Sequence, residues 1–477
     1  MSTDGRHLDR LTALDASFLS NETGTSHMHI GGILIFEGPP PKYVDLVEHV
    51  RGRLARVPRF RQRLVTPPLE AGRPLWADDV NFNLTYHIRH TALPDPGGEA
   101  ELKRLAGRIF SQQLDRSKPL WELWLAQGLE RDRFAILTKT HHAMVDGISG
   151  VDLGTVLFDL EPVPEPAPVE DDWVPQPEPG TTELVARGVS DAVGLPVKIA
   201  ERTVEAVRRP EATARRAVEA LEGLTEVISA FADPAPDVPL NQAIGPHRRY
   251  VWAREELATF KAIKNAFGGT VNDVVLAVVT GSLRDWLQRH GVRTEGLELR
   301  ALVPVSIRAE DERGNLGNRI ALMRGPLPVY VADPVRRLQV ISEAMEGLKR
   351  SKQALGAEVI SRFNDFAPPT LLAQASRINF TTRLFNLIVT NVPGPQIPLY
   401  VLGRELQEVF PVAFLPPNHA LAVAIMSYHG KVGFGLLADY DAVEDVEAVA
   451  EGIDASLAEL AAAAGEAGTA AAEPQRA

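Results

Sequence analysis

Two adjacent histidines, His141 and His142, end a stretch that alternates as a strand does, with Phe134, Ile136, Thr138 and Thr140 on one side. Successive strand side chains point to opposite faces, so the pair looks both ways: if His142 faces a cavity, His141 faces the core. An imidazole titrates near neutral pH and can take a proton from a reacting hydroxyl, which makes His142 a candidate general base. Asp146, four residues on, carries a carboxylate able to return and fix the local geometry. With Gly147 it turns the chain into the apolar run from Ile148 to Leu160, which reads as a helix. By itself, a histidine at a strand end is more often packing than chemistry.

Other chemistries can be set aside. The chain has no cysteine, which removes disulfides, thiolate metal sites and a cysteinyl acyl-enzyme. No serine sits in a G-x-S-x-G elbow, and neither a Walker phosphate loop nor an H-E-x-x-H zinc helix is present. No metal is called for. The run from Gly433 to Ala438 mimics a dinucleotide fingerprint, but it lies inside an apolar strand late in the chain and reads as sheet.

The elements that must position the histidines come from a chain of 477 residues, too long for one ordinary core, with 45% hydrophobic and 23% charged residues. A net charge of -12 disfavours nucleic acid as a partner. The polar start from Met1 to Leu11, and the lack of roughly 18 uninterrupted apolar residues, point to a cytoplasmic protein and leave open peripheral contact with a membrane.

Strands and helices interleave, so the fold class is α/β or α+β. His29 to Gly38 reads as a buried strand, Val44 to Val57 as a helix, Val80 to Arg89 as a strand, Glu99 to Gln113 as a helix and Glu122 to Gln127 as a strand. Residues 1–160 form a first domain on this reading, and residues 161–246 a Pro-rich linker with amphipathic helices between 181 and 232. Residues 247–460 form a second domain, with helices around Leu257 to Phe267 and Val274 to Arg289 and strands at Leu297 to Val305, Leu384 to Val389, Ala420 to Ser427 and Val432 to Leu437. Residues 461–477 read as a flexible, alanine-rich tail.

Three further strings accompany the histidines. Pro119-Leu120-Trp121 precedes the neighbouring strand and reads as a turn with a buried aromatic. Thr270 to Asp273 heads a helix, and Thr270 with Asp273 is close to a capping box. Asn391-Val392-Pro393-Gly394-Pro395 follows an apolar strand and has the composition of a turn.

The H-H-x-x-x-D-G string resembles the signature of the coenzyme A-dependent acyltransferase superfamily, which includes chloramphenicol acetyltransferase and the condensation domains of nonribosomal peptide synthetases. With P-L-W, N-D at Asn272 and Asp273, and N-V-P-G-P in this order, the chain resembles the bacterial wax ester synthase/acyl-CoA:diacylglycerol acyltransferase family, from the opening Leu14-Asp15-Ala16-Ser17-Phe18-Leu19 nearly to the C-terminus. The resemblance implies two chloramphenicol acetyltransferase-like domains joined by a long helical crossover, with the active site and a tunnel at their interface.

It also implies transfer of a long-chain acyl group from acyl-CoA, a co-substrate and not a resident cofactor, to diacylglycerol or a fatty alcohol. Membrane or lipid-droplet surfaces are implied surroundings. Without a cysteine or a serine elbow, direct attack in a ternary complex is the expected course, with His142 as base. Asn272 is the candidate for the oxyanion, and His141 a structural neighbour. Asp146 is expected to orient the motif, through an arginine such as Arg308. The rival readings are a condensation-type enzyme using carrier-bound thioesters and a non-catalytic lipid-binding protein.

Overall fold

The computed structural model describes residues 8–68, 73–144, 154, 157–163, 173–180, 182–184, 234–306, 320–350, 381–382 and 384–472. The first half supplies strands β1 (Asp9–Arg10), β2 (His29–Glu37), β3 (Gln62–Val65), β4 (Leu75–Asp78), β5 (Ile88–Ala92), β6 (Trp121–Leu129) and β7 (Arg133–His141). It also carries helices α1 (Ala13–Asn21), α2 (Tyr43–Arg51), α3 (Leu84–His87) and α4 (Glu99–Phe110). The second half supplies β8 (Arg248–Glu256), β9 (Leu299–Ser306), β10 (Ile320–Leu327), β11 (Leu387–Pro393), β12 (Tyr400–Val401), β13 (Arg404–Val412), β14 (Leu421–Tyr428) and β15 (Lys431–Asp439). Its helices are α5 (Leu257–Phe267), α6 (Val271–Arg289), α7 (Pro334–Arg350) and α8 (Val446–Ala472).

Alternation along the central strands decides what lies on each face of the first sheet. Ile33, Ile35, Ala135 and Leu137 belong to one core, whereas Leu34, Phe36, Phe134 and Ile136 belong to another. This sheet has the order β12-β13-β2-β7-β6-β5, and a second six-stranded sheet has the order β10-β9-β11-β14-β15-β8. Two strands of the second half, β12 and β13, therefore belong to the first sheet, with β13 antiparallel to β2 from Leu406 opposite Phe36 to Val412 opposite Gly31. No such exchange was expected from a division at residue 247. Pro411 and the charges of Arg404, Glu405 and Glu408 conceal β13 in the sequence.

The first of the two cores runs unbroken into the second sheet through Tyr250, Phe410 and Phe434. There β15 crosses β13 so closely that a Cβ on Gly435 would lie 1.8 Å from the Pro411 carbonyl oxygen. The Gly433 to Ala438 string is thus a sheet crossing, as its apolar setting suggested. Helix α6 is buried on nearly every side and packs against α7 and α8.

Several boundaries differ from expectation. The helix expected over Val44 to Val57 stops at Arg51, where Gly52 ends it, and continues as a 3-10 turn over Leu54–Arg56. The strand expected over Val80 to Arg89 begins only at Ile88, because the Asn83 side chain accepts the Thr85 N–H at 3.1 Å and starts the helical turn α3 before it. Of the tail expected over 461–477, residues 461–472 instead continue α8, since alanine is the strongest helix former and buried Leu457 and Leu460 anchor the preceding turns, and 473–477 lie outside the described residues. The helix expected from Ile148 lies mostly outside the described residues, as do the amphipathic helices between 181 and 232 apart from 182–184.

Candidate active site

Strand β7 ends at His141, opposite His29 on β2. His142 leaves the strand as the first residue of a 3-10 turn, His142–Met144, with its N–H donating to the Met28 carbonyl at 2.9 Å. The two rings therefore diverge because the backbone turns between them, not through strand alternation alone.

His141 is wholly buried. Its Nδ1 accepts the Ala143 N–H at 3.0 Å, so a neutral ring carries its proton on Nε2, which lies 3.5 Å from a Glu22 carboxylate oxygen.

The His142 ring stacks on Phe18 with centroids 3.9 Å apart and meets the edge of Phe414 at 5.5 Å. Phe18 comes from α1 in the first half and Phe414 from the segment after β13, so the ring lies at the seam between the halves. Its Nδ1 is buried without a hydrogen-bond partner. Desolvation, then the neighbouring His141, lowers its pKa to about 4. An imidazole in that state is neutral at physiological pH and free to accept a proton.

Around this pair lies a polar cluster that sequence reasoning missed. Glu22 caps the end of α1 and its carboxylate faces both His141 and His29, each at 3.5 Å. Burial pushes the Glu22 carboxyl up, but the facing His141 and His29 rings and the charge of Arg116 outweigh it and hold the group well below the usual carboxylate range. Burial lowers the His29 pKa to about 3 despite Glu22. Arg116 donates its Nε to Glu22 at 2.7 Å. Glu22 stands four residues after Phe18 as the cap of α1, its N–H donating to the Phe18 carbonyl at 3.1 Å.

Pro119, Leu120 and Trp121 are buried beside the histidines. The Leu120 carbonyl accepts the His141 N–H at 3.0 Å, which fixes the strand end. The Trp121 indole donates to the Phe60 carbonyl at 2.9 Å and stacks on His87 at 4.6 Å, as a buried aromatic with a polar edge requires. This motif is thereby tied to the strand end that carries His141.

Asn272 is the second residue of α6, and Asp273 closes a capping box with Thr270: its carboxylate accepts the Thr270 N–H at 2.8 Å. Asn391, near the end of β11, donates its Nδ2 to Asn272 Oδ1 at 3.2 Å, so the N-D and N-V-P-G-P strings meet. Pro393 closes β11, and Gly394 lies against β14, where a Cβ would come within 2.3 Å of the Ser427 carbonyl oxygen. Among the described residues, no hydrogen bond, ion pair or ring contact joins Asn272 or Asn391 to His142. Asp146, Gly147 and Arg308 lie outside the described residues. Among those described, no group of three histidine or carboxylate side chains is placed to hold a metal ion.

The His142 ring thus packs between residues from the two halves of the chain, and comparison with known proteins gives the family. Residues 11–275 match the wax ester synthase/diacylglycerol acyltransferase catalytic domain, and residues 316–461 the C-terminal domain of the same family. Relatives carried under the name diacylglycerol O-acyltransferase, one from Mycobacterium bovis and one from Mycobacterium tuberculosis, are each 34% identical over 459 residues, covering 95% of this chain and 96% of theirs. The solved wax ester synthase/diacylglycerol acyltransferase from Marinobacter aquaeolei is 28% identical, with a TM-score of 0.66 over 96% of this chain and 100% of that one. The starter condensation domain of rhizomide synthetase, at 12% identity and a TM-score of 0.58 over 96% of this chain and 95% of its own, shares the fold alone. The chain belongs to the wax ester synthase/diacylglycerol acyltransferase family and is an acyltransferase.

Proposed function

We propose that this enzyme moves a long-chain fatty acyl group from acyl-CoA to the free hydroxyl of diacylglycerol, and to fatty alcohols, with both substrates bound together. His142 takes the acceptor proton as that oxygen attacks the thioester carbonyl. Asn272 donates its amide to the oxygen that gains charge, and collapse of the tetrahedral species expels the coenzyme A sulfur, which recovers the proton from His142. Asp146 orients the motif. The acceptor is a lipid, so it reaches the enzyme from a membrane or lipid-body surface against which a cytoplasmic chain rests.

The observation that carries this reading is the His142 ring, neutral and clamped between Phe18 and Phe414 at the junction of the halves. The kinship with diacylglycerol O-acyltransferases supports the substrate class. The absence of cysteine favours direct attack over an acyl-enzyme.

The test is His142→Ala assayed with oleoyl-CoA and either dioleoylglycerol or hexadecanol. The expected outcome is a loss in kcat of about 100- to 10,000-fold, the range of a general base. Undiminished turnover would remove His142 from the reaction. Turnover with carrier-bound amines and none with alcohols would favour the condensation reading.

A further inference from the structure

We propose that Glu22 is a positioning residue that sets the tautomer of His141 and thereby the turn that aims His142; this rests on the reading of His142 as the base. A carboxylate only 4% exposed is costly to bury, and Arg116 at its outer side accounts for its charge but not for its placement between two histidines. The Ala143 N–H donates to His141 Nδ1, inside the turn that begins with His142. That bond exists only while the His141 proton sits on Nε2. Glu22 supplies the acceptor that keeps it there, 3.5 Å away. With the proton on Nδ1, two donors would face each other and the turn would lose its tie.

The same helix completes the clamp. Phe18 and Glu22 stand one turn apart, the first against the His142 ring and the second against the His141 ring. The other Glu22 oxygen faces His29 Nε2 at 3.5 Å, while the Leu114 N–H approaches that same nitrogen at 3.4 Å. As the acceptor of that N–H, His29 Nε2 has its tautomer tied to the backbone rather than to Glu22. His141 Nε2 is buried and makes no hydrogen bond among the described residues, and the Glu22 oxygen at 3.5 Å is the acceptor that faces it.

The experiment is a double-mutant cycle on the full chain. Glu22→Gln keeps size but removes charge, and His141→Asn places Oδ1 where Nδ1 stood, giving Ala143 an acceptor that has no tautomer to set. Expected are a fall in kcat of about tenfold or more for Glu22→Gln, a KM for acyl-CoA within about twofold, and less than about a twofold effect of the same change in the His141→Asn background. Equal losses in both backgrounds, or an unchanged kcat with only a lower thermal midpoint, would overturn the proposal.

If Glu22→Gln does not accumulate as folded protein, Glu22→Asp, which withdraws the carboxylate by one methylene, takes its place with the same expected pattern. His142→Ala is measured alongside. Full turnover by that variant would retire the base and this proposal with it, whereas an inactive His142→Ala with equal losses in the cycle would overturn the role of Glu22 alone.

Discussion

The Asn391 amide donates to Asn272 Oδ1 at 3.2 Å, and this bond decides which end of the Asn272 side chain is available for chemistry. With its oxygen engaged, Asn272 presents its NH2 group, which has no acceptor among the described residues, and an oxyanion needs a donor of that kind. Asn272→Ala is expected to lower kcat by roughly 100-fold with a small change in KM. Asn391→Ala should cost less, about tenfold, because the amide remains but loses its orientation. Equal, purely KM effects from both variants would contradict this division of roles.

The pH profile should separate reaction from stability. The pKa of His142 is lowered to about 4, so kcat/KM should hold flat through the range near 6.5 where an unperturbed imidazole titrates, and fall only as pH drops toward 4. A limb near 6.5 would mean a solvated ring.

Stability follows the opposite boundary. His27, His29, His87 and His419 are also lowered by burial, so the unfolded chain takes up protons first as pH falls. Their contribution is complete above the unfolded value and is lost progressively below it. The thermal midpoint should therefore drop between about pH 7 and about pH 5 while kcat/KM stays level.

Gly435→Ala tests the crossing of the sheets. Its Cβ would meet the Pro411 carbonyl oxygen at 1.8 Å and the Tyr250 hydroxyl at 2.4 Å, and neither can withdraw, since that hydroxyl donates to the Pro411 carbonyl at 2.9 Å. A loss of about 3 kcal/mol or more in unfolding free energy is expected, measured by denaturant titration. A change near zero would show that the two strands can separate without harm.

What was legible in the sequence was what local physics dictates. A dense apolar run placed β2, alternation placed β7, helical spacing placed α5, and the Thr270 to Asp273 spacing announced the cap that starts α6. The contact between Asn272 and Asn391 was not legible, because 119 residues separate partners joined by tertiary packing. Glu22 was missed for a similar reason: nothing in Ser20-Asn21-Glu22 distinguishes a buried carboxylate from a solvated one until α1 is laid against the turn His142–Met144. Strand β13 escaped because its partner β2 lies in the other half of the chain, so no neighbouring sequence could reveal the pairing.

Because β13 closes the side of β2, the first sheet stays open along that edge until residue 412 has left the ribosome. Phe414, one wall of the His142 ring, emerges after it. During synthesis the packing around His142 is thus incomplete for most of the chain's length, and a chain broken anywhere before that strand would be left with a sticky, unpaired border.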